Sequence, residues 1–247
     1  MTQPVDQTSE CSPEYCRVFA DILSQAVTGE LVGMQNFASL VALVDGAEEK
    51  IEAVEHAENE KSHALAFQRA ALDLGVELIV DLEAPYWKRI REAFLKYASQ
   101  KDLTACLLIQ ELMLESFAVS TYESAAEAAR PPLAKIFRAI AEEERSHLEH
   151  AMEFLQQENQ KDPAGFEEKV GRVHQDVMTV LAEMVAKQDA HGHCGLCRDE
   201  CVKTSLAEVN LDLATVRGRA LNFYLKMLDR LGLPGEKTLA WVANLPA

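Results

Sequence analysis

The chain has few of the residues that interrupt helices. Its 247 residues include only 11 glycines and 8 prolines. Long runs of alanine, leucine, glutamate and lysine fill the intervals between them, and these residues have high helix propensity. The hydrophobic share of 48% is ample for a core. The composition therefore predicts a mostly helical protein, and the length allows one large domain or two small ones.

Two further absences narrow the range of functions. No hydrophobic run approaches the roughly 20 residues that span a bilayer, and the N-terminus MTQPVDQTSE is too polar for a signal peptide. Positive charge is also scarce, because 24 Lys and Arg stand against 40 Asp and Glu, for a formal net charge of −16. Such a chain repels phosphates, which disfavours nucleic acid as a partner. We therefore expect a cytoplasmic protein without a membrane span.

The motif Glu-x-x-His occurs twice, and a lone glutamate lies 29 or 30 residues ahead of each copy. The motifs are Glu60-x-x-His63 and Glu144-x-x-His147, and the lone glutamates are Glu30 and Glu115. Residues i and i+3 share one face of a helix, so each motif directs a carboxylate and an imidazole to one point. The doubled pattern predicts that all six side chains meet in the interior of a helix bundle.

Four carboxylates and two imidazoles on four helices are the ligand set of a ferritin-like di-metal site. Residues three and four positions from these six are apolar on three of the four helices, as in Val27 and Met34 around Glu30. Buried carboxylates are costly unless a metal neutralises them. Oxygen and nitrogen ligands with open positions suit iron or manganese rather than a closed structural zinc site. The spacing predicts that Glu60 and Glu144 bridge two metals.

Turn and capping residues predict an all-α fold with a four-helix core at 13–160 and accessory helices at 161–247, in one domain spanning 1–247. Asp45-Gly46, Gly75, Pro131-Pro132 and Gly232–Pro234 mark helix ends, and Asp102 and Asp162 mark helix starts. The predicted helices are 14–44, 47–74, 86–99, 102–129, 133–159, 163–189, 199–231 and 237–244, and the connection 76–85 is long enough to cross the bundle.

The third predicted core helix resembles that of the aldehyde-deformylating oxygenases, also called fatty aldehyde decarbonylases. The matching residues are Cys106-Leu-Leu-Ile-Gln110, Glu115-Ser-Phe117 and Tyr122, and a weaker similarity over about 27–154 includes Gly29-Glu30, Tyr86-Trp87 and both Glu-x-x-His motifs. The resemblance implies two irons, O₂ activation with external electrons, commonly from ferredoxin, and conversion of a long-chain aldehyde to formate and an alkane one carbon shorter.

Three further residues are candidates for a role beside the metal ligands. Glu143 keeps a carboxylate that the family resemblance places just before the second motif. Glu111 adds a carboxylate one turn before Glu115, which also resembles rubrerythrins; we expect a proton donor or alternative metal ligand, or else a solvated side chain. Tyr122 is expected to pack in the core with its hydroxyl hydrogen-bonded, or to support the ligands directly.

A segment rich in cysteine and histidine, residues 191–201, separates two accessory helices and is an insertion relative to the oxygenases. Structural disulfides are rare in the cytosol, so we favour a metal over a disulfide. Cys-x-x-Cys with a third cysteine suits zinc or an iron–sulfur cluster, with redox-active thiols or no special role as alternatives. The predicted ligands are Cys194, Cys197 and Cys201, with His193, Cys11 or Cys16 as the fourth.

The sequence thus predicts a di-iron oxygenase acting with O₂ on an apolar aldehyde. Two alternatives remain open at this point. One is a rubrerythrin-like or ferritin-like protein that reduces peroxide or oxidises iron, and the other is a structural or sensing protein whose Cys/His segment binds a partner. An apolar channel that reaches the metals would favour the oxygenase.

Overall fold

The computed structural model describes residues 12–186, 195–198 and 201–246, which form helices and connecting turns. The α-helices are α1 (Pro13–Leu40), α2 (Ala47–Leu74), α3 (Pro85–Ser99), α4 (Leu103–Leu107), α5 (Glu115–Ala128), α6 (Pro131–Lys161), α7 (Pro163–Met184), α8 (Val202–Ser205), α9 (Leu213–Arg230) and α10 (Gly235–Ala243). A π-helix, Leu108–Leu114, joins α4 to α5, and a 3₁₀ turn, Leu206–Val209, follows α8.

Capping residues fix many of these ends. The side chains of Ser12, Asp102 and Asp162 accept hydrogen bonds from backbone N–H groups in the first turns of α1, α4 and α7. Proline occupies the start of α1, α3, α6 and α7, where its missing N–H costs nothing. Gly75 ends α2 in the left-handed conformation, which glycine adopts without steric cost because it has no Cβ.

The four-helix core consists of α1, α2, the continuous run from α4 to α5, and α6. Helix α1 packs along α2, and α5 packs along α6. The short connections between these partners make each pair antiparallel. Helix α3 crosses to contact α1 and α7, and α9 lies against α5. The accessory helices therefore cover the outside of the core.

Two apolar clusters fill the core on either side of a polar layer. One contains Val27 and Phe67, and the other contains Phe37 and Ala53. Along α1, Glu30 lies between the residues that belong to these two clusters. The polar layer is thus bounded by hydrophobic packing at both ends.

Several details differ from the sequence analysis. The predicted helix 199–231 is wrong, because Asn210 adopts a left-handed conformation (φ 60°) and separates α8 and its 3₁₀ turn from α9. Helix α7 ends at Met184, five residues early. Leu103–Ala128 is long and apolar enough to span a membrane by composition, but 83% of its most apolar window is buried, as befits a core helix.

Candidate metal centre

The π-helix at Leu108–Leu114 sets the direction of the side chains on the third core helix. The backbone N–H of Glu115 donates to the carbonyl of Gln110, five residues back rather than four. This wider turn changes the phase of the helix, and Glu111 and Glu115 are both 2% exposed. π-Helices are rare and occur mostly at functional sites. The solvated alternative for Glu111 is therefore wrong, and its burial needs an explanation.

All six residues of the doubled motif meet in the polar layer, and each is at least 96% buried. Their donor atoms form two overlapping groups in which every atom lies within 4.8 Å of the others. The groups are Glu30, Glu60, His63 and Glu144, and Glu60, Glu115, Glu144 and His147. Glu60 and Glu144 belong to both groups, so they stand where bridging carboxylates would lie.

The two histidines present the same ring nitrogen to the carboxylates. His63 Nδ1 lies 3.2 Å from a Glu30 oxygen and 3.1 Å from a Glu144 oxygen. His147 Nδ1 lies 3.2 Å from the other Glu144 oxygen and 3.8 Å from Glu115. The pseudo-repeat in the sequence thus becomes an approximate two-fold arrangement of side chains.

Several donor atoms of this centre lack a hydrogen-bond partner. Glu60 Oε1, Glu115 Oε2, Glu144 Oε2 and His147 Nδ1 are buried and unpaired within the described structure. Buried polar atoms without partners are costly and uncommon. A divalent metal at each group would coordinate them and balance the carboxylate charge. The residues present therefore fit a metal centre of oxygen and nitrogen ligands.

Burial and the charges of neighbouring groups shift the pKa values of the buried carboxylates in different directions. Burial, together with the Glu144 charge, raises the pKa of Glu60 and Glu115 well above the usual value. Glu144 is also buried, but its close contacts with Glu115, His147 and His63 lower its pKa. For His63, burial opposes protonation, yet hydrogen bonds to Glu144 and Glu30 raise its pKa to about 11. In the absence of metal, protons replace part of the missing positive charge.

We expect the metal-free protein to lose stability as the pH rises from 6.5 to 8.5. Glu60 and Glu115 have folded pKa values above the reference of 4.5, so their stabilisation is full below 4.5 and declines above it. The stabilisation from His63 is full below 6.5 and declines toward about 11. His56 and His174, with pKa values lowered to about 3 and 4, oppose this trend only below 6.5.

Thermal unfolding of metal-free and metal-loaded protein across this pH window measures the effect. The melting temperature of the metal-free protein should fall, and that of the loaded protein should fall less because the metal replaces the protons. A melting temperature that is constant or rising in the metal-free protein would show that these carboxylates do not take up protons on folding.

A second layer of polar contacts orients the centre. His63 Nε2 lies 2.9 Å from Glu143, and His147 Nε2 lies 3.1 Å from the Asn59 amide. Each partner directly precedes the glutamate of the opposite motif, so the supporting contacts share the two-fold arrangement. Such groups fix the ring orientation of a metal-binding histidine. Glu143 was predicted from the sequence, whereas Asn59 was not.

The remaining supports come from the first and third core helices. The Tyr122 hydroxyl donates to Glu30, and the Gln110 amide lies 3.4 Å from Glu115 while it accepts from Asn36. Gly33 is also required, because a Cβ there would collide with the Glu60 carboxylate. Sequence reasoning missed Gly33, since its role depends on the approach of another helix.

A cavity of about 230 Å³ reaches the carboxylates from one side. Glu30, Glu60, Glu115 and Glu144 form part of its wall, and aliphatic and aromatic residues form most of the rest. These include Ile22, Trp87, Leu114, Phe117, Ala118, Leu181, Val202, Leu206, Leu213 and Val216. The space therefore suits an apolar molecule whose polar end meets the centre. Glu111 is not among the lining residues.

The Cys/His segment falls mainly outside the described residues. His191, His193, Cys194 and Cys11 lie outside them, whereas Cys16, Cys197 and Cys201 lie within. Cys197 is buried, and its sulfur accepts a hydrogen bond from the Val202 N–H at 3.4 Å. The start of α1 contacts α8, and Arg17 donates to Ser205 at 3.0 Å. Cys16 and Cys201 are therefore on neighbouring elements.

Comparison with known proteins agrees with this geometry. Residues 12–207 match the family described as long-chain fatty aldehyde decarbonylase. The chain belongs to this family. Among solved structures, one described as "Protein 19 with aldehyde deformylating oxidase activity from Synechococcus" superposes with a TM-score of 0.75 and 19% sequence identity. The match covers 94% of this chain and 97% of that chain, and it confirms the predicted ferritin-like helical fold of this decarbonylase-family member.

Proposed function

We propose that this protein is a di-iron oxygenase that converts a long-chain aldehyde and O₂ to formate and a hydrocarbon one carbon shorter. Membership of the aldehyde decarbonylase family supports the reaction class. The observation that carries the proposal is the placement of four carboxylates in the wall of an otherwise mostly apolar cavity. A peroxide-reducing protein needs no apolar space of this kind beside its metals.

The residues of the centre would have two kinds of role, metal binding and positioning. Glu30, Glu60, His63, Glu115, Glu144 and His147 would hold two irons, or manganese as the alternative, which when bound supply open positions for O₂. Glu143 would keep His63 Nδ1 directed at the centre through its contact with Nε2. Tyr122 would hold the Glu30 carboxylate through its hydroxyl. Both are positioning residues.

The cavity would bind and orient the substrate. Its apolar walls would take up the alkyl chain and exclude water, and the aldehyde would stand beside the carboxylates. Burial raises the pKa of Tyr122 well above its usual value, so its hydroxyl stays protonated and able to donate. The chemistry also needs external electrons, for which we propose a ferredoxin-type donor. A single domain and a cytoplasmic location complete the proposal.

The proposal is tested by loading the protein with Fe(II) anaerobically and adding O₂, a reductant and a set of linear aldehydes. Mass spectrometry should find formate and the shortened hydrocarbon in equal amounts. Omission of O₂ or of the reductant should abolish both products. Rapid peroxide turnover without any product from the aldehyde would contradict the oxygenase and select the rubrerythrin-like alternative.

We also propose that Cys194, Cys197 and Cys201 bind zinc or an iron–sulfur cluster, with His193, Cys11 or Cys16 as the fourth ligand. Support comes from the spacing, from the N–H hydrogen bond to the Cys197 sulfur, and from the contact between α1 and α8. Thiolates prefer softer metals than carboxylates do, so the two kinds of site should load independently.

Replacing Cys194 and Cys197 with serine should release one zinc or bleach a cluster chromophore, while the iron content of the centre stays unchanged. Metal analysis and the absorption spectrum measure both effects. Cys106→Ser is the matched control, because Cys106 is buried and its thiol pKa is raised to about 12. Equal metal content in the double variant and the wild type, with thiols that react freely, would refute this site.

A further inference from the structure

A third group of side chains that could hold a metal lies beside the candidate di-metal centre. Glu52 and His56 on α2 and His150 on α6 place their donor atoms within 4.8 Å of one another. The His56 ring stacks on His147, with 4.4 Å between the ring centroids. None of the three residues lines the apolar cavity. The group is therefore adjacent to the centre but distinct from the space that would hold the substrate.

One distance within this group matches that between two ligands of one metal. His150 Nε2 lies 2.9 Å from Glu52 Oε1. Two ligand atoms at 2.0–2.2 Å from a metal, at a right angle to each other, lie about 3 Å apart. His56 contacts its neighbours through its ring faces and edges, and no hydrogen bond to its nitrogens exists among the residues that the structure describes. Its ring can supply the third ligand.

Glu111 provides an independent indication that this group is incomplete. Its Oε2 is buried and has no hydrogen-bond partner in the described structure, although it faces His150 Nδ1 at 3.8 Å. A metal-binding histidine commonly donates its other ring N–H to a carboxylate, which orients the ring. Glu111 stands where that carboxylate would be if His150 bound a metal through Nε2.

A simple ion pair explains less of this arrangement. A charged His150 between two carboxylates would account for its positions beside Glu52 and Glu111, but it would give His56 no role. A divalent cation is balanced by the charges of Glu52 and Glu111, with both imidazoles neutral. The Glu52 and His150 side chains are 38% and 48% exposed, so a hydrated ion can reach the group from solvent.

We propose that Glu52, His56 and His150 form a third metal site that takes a divalent cation such as Mn²⁺, Fe²⁺ or Zn²⁺. Glu111 is its positioning residue and holds the His150 ring through Nδ1. The site lies next to the di-metal centre and is separated from it by the stacked rings of His56 and His147. No residue of the two buried four-residue groups contributes a ligand to it.

Titration of the metal-free protein with Mn²⁺, followed by electron paramagnetic resonance of the free ion, tests the proposal. Mn²⁺ favours oxygen and nitrogen ligands, so the cysteine segment does not interfere. Wild type should bind one more Mn²⁺ per chain than either His150→Ala or Glu52→Gln. Glu111→Gln should retain the extra ion with an affinity roughly 10–100-fold lower. The difference between variants is informative whatever the enzyme's substrate is.

Glu153→Gln is the matched control, because Glu153 is exposed and its charge acts on His150 without belonging to the group. This variant should bind as many Mn²⁺ ions as the wild type. The proposal is overturned if wild type and His150→Ala bind the same number of ions. It is also overturned if Glu153→Gln loses an ion as readily as Glu52→Gln, which would indicate diffuse electrostatic attraction.

Discussion

Replacement of His63 or His147 with alanine should remove at least one metal from the centre and abolish aldehyde turnover. Each histidine belongs to only one of the two four-residue groups. Each variant therefore leaves three carboxylates around a metal position that has lost its nitrogen ligand. The remaining charges repel one another in a buried layer, which weakens metal binding further. Activity should fall by more than the roughly 100-fold that changes in supporting residues cause. Metal analysis and product formation measure both effects.

Two variants distinguish loss of a ligand from general damage. His174→Ala removes another buried histidine, which contacts Tyr224 rather than the centre, and it should keep both metals despite lower stability. Glu143→Gln should also keep both, with weaker binding at the position nearer His63. Unchanged dinuclear stoichiometry in His63→Ala or His147→Ala would remove the basis of the proposed centre.

The convergence of the six residues was predictable because it depends on local rules. The i, i+3 spacing joins Glu60 to His63 and Glu144 to His147 on single helices. Apolar neighbours then indicate that these helix faces turn inward. Short connections make successive helices antiparallel, which brings the two halves of the pattern to the same level of the bundle.

The features that the sequence analysis missed depend on contacts between helices or on a change of helix type. The π-turn before Glu115 alters the phase of a helix whose residues all have ordinary helix propensity. Gly33 looks like any helix glycine until the Glu60 carboxylate packs against it. The group of Glu52, His56 and His150 joins two helices that are distant in sequence, and no spacing rule connects them.

The break at Asn210 has a different cause. The segment 199–231 contains many helix formers, and local propensity alone favours one continuous helix. In the structure, Asp212 accepts from the Thr215 N–H and begins α9 anew, while Leu206 and Val209 turn into the core cluster around Phe67. Tertiary burial thus overrides propensity, and the break places Leu206 and Leu213 in the cavity wall.

The extent of the cavity along helix α5 should determine which aldehyde chain lengths the protein accepts. Ala118 and Ala125 both line it, three and ten residues after Glu115. At 1.5 Å per residue they lie about 4.5 and 15 Å from Glu115 along the helix axis. Phenylalanine at Ala118 should therefore block the space near the metals, and phenylalanine at Ala125 should block its distant part.

We expect Ala118→Phe to lose turnover of nearly all linear aldehydes, and Ala125→Phe to lose only the long ones. Each methylene that cannot enter forfeits about 0.8 kcal/mol of burial, or roughly a fourfold drop in kcat/KM. The measurement is kcat/KM across a series of chain lengths, with metal content determined in parallel. The two variants control for each other, because both add the same ring to the same helix. Identical length profiles, with both metals retained, would mean that the substrate chain does not follow α5 and occupies another part of the cavity.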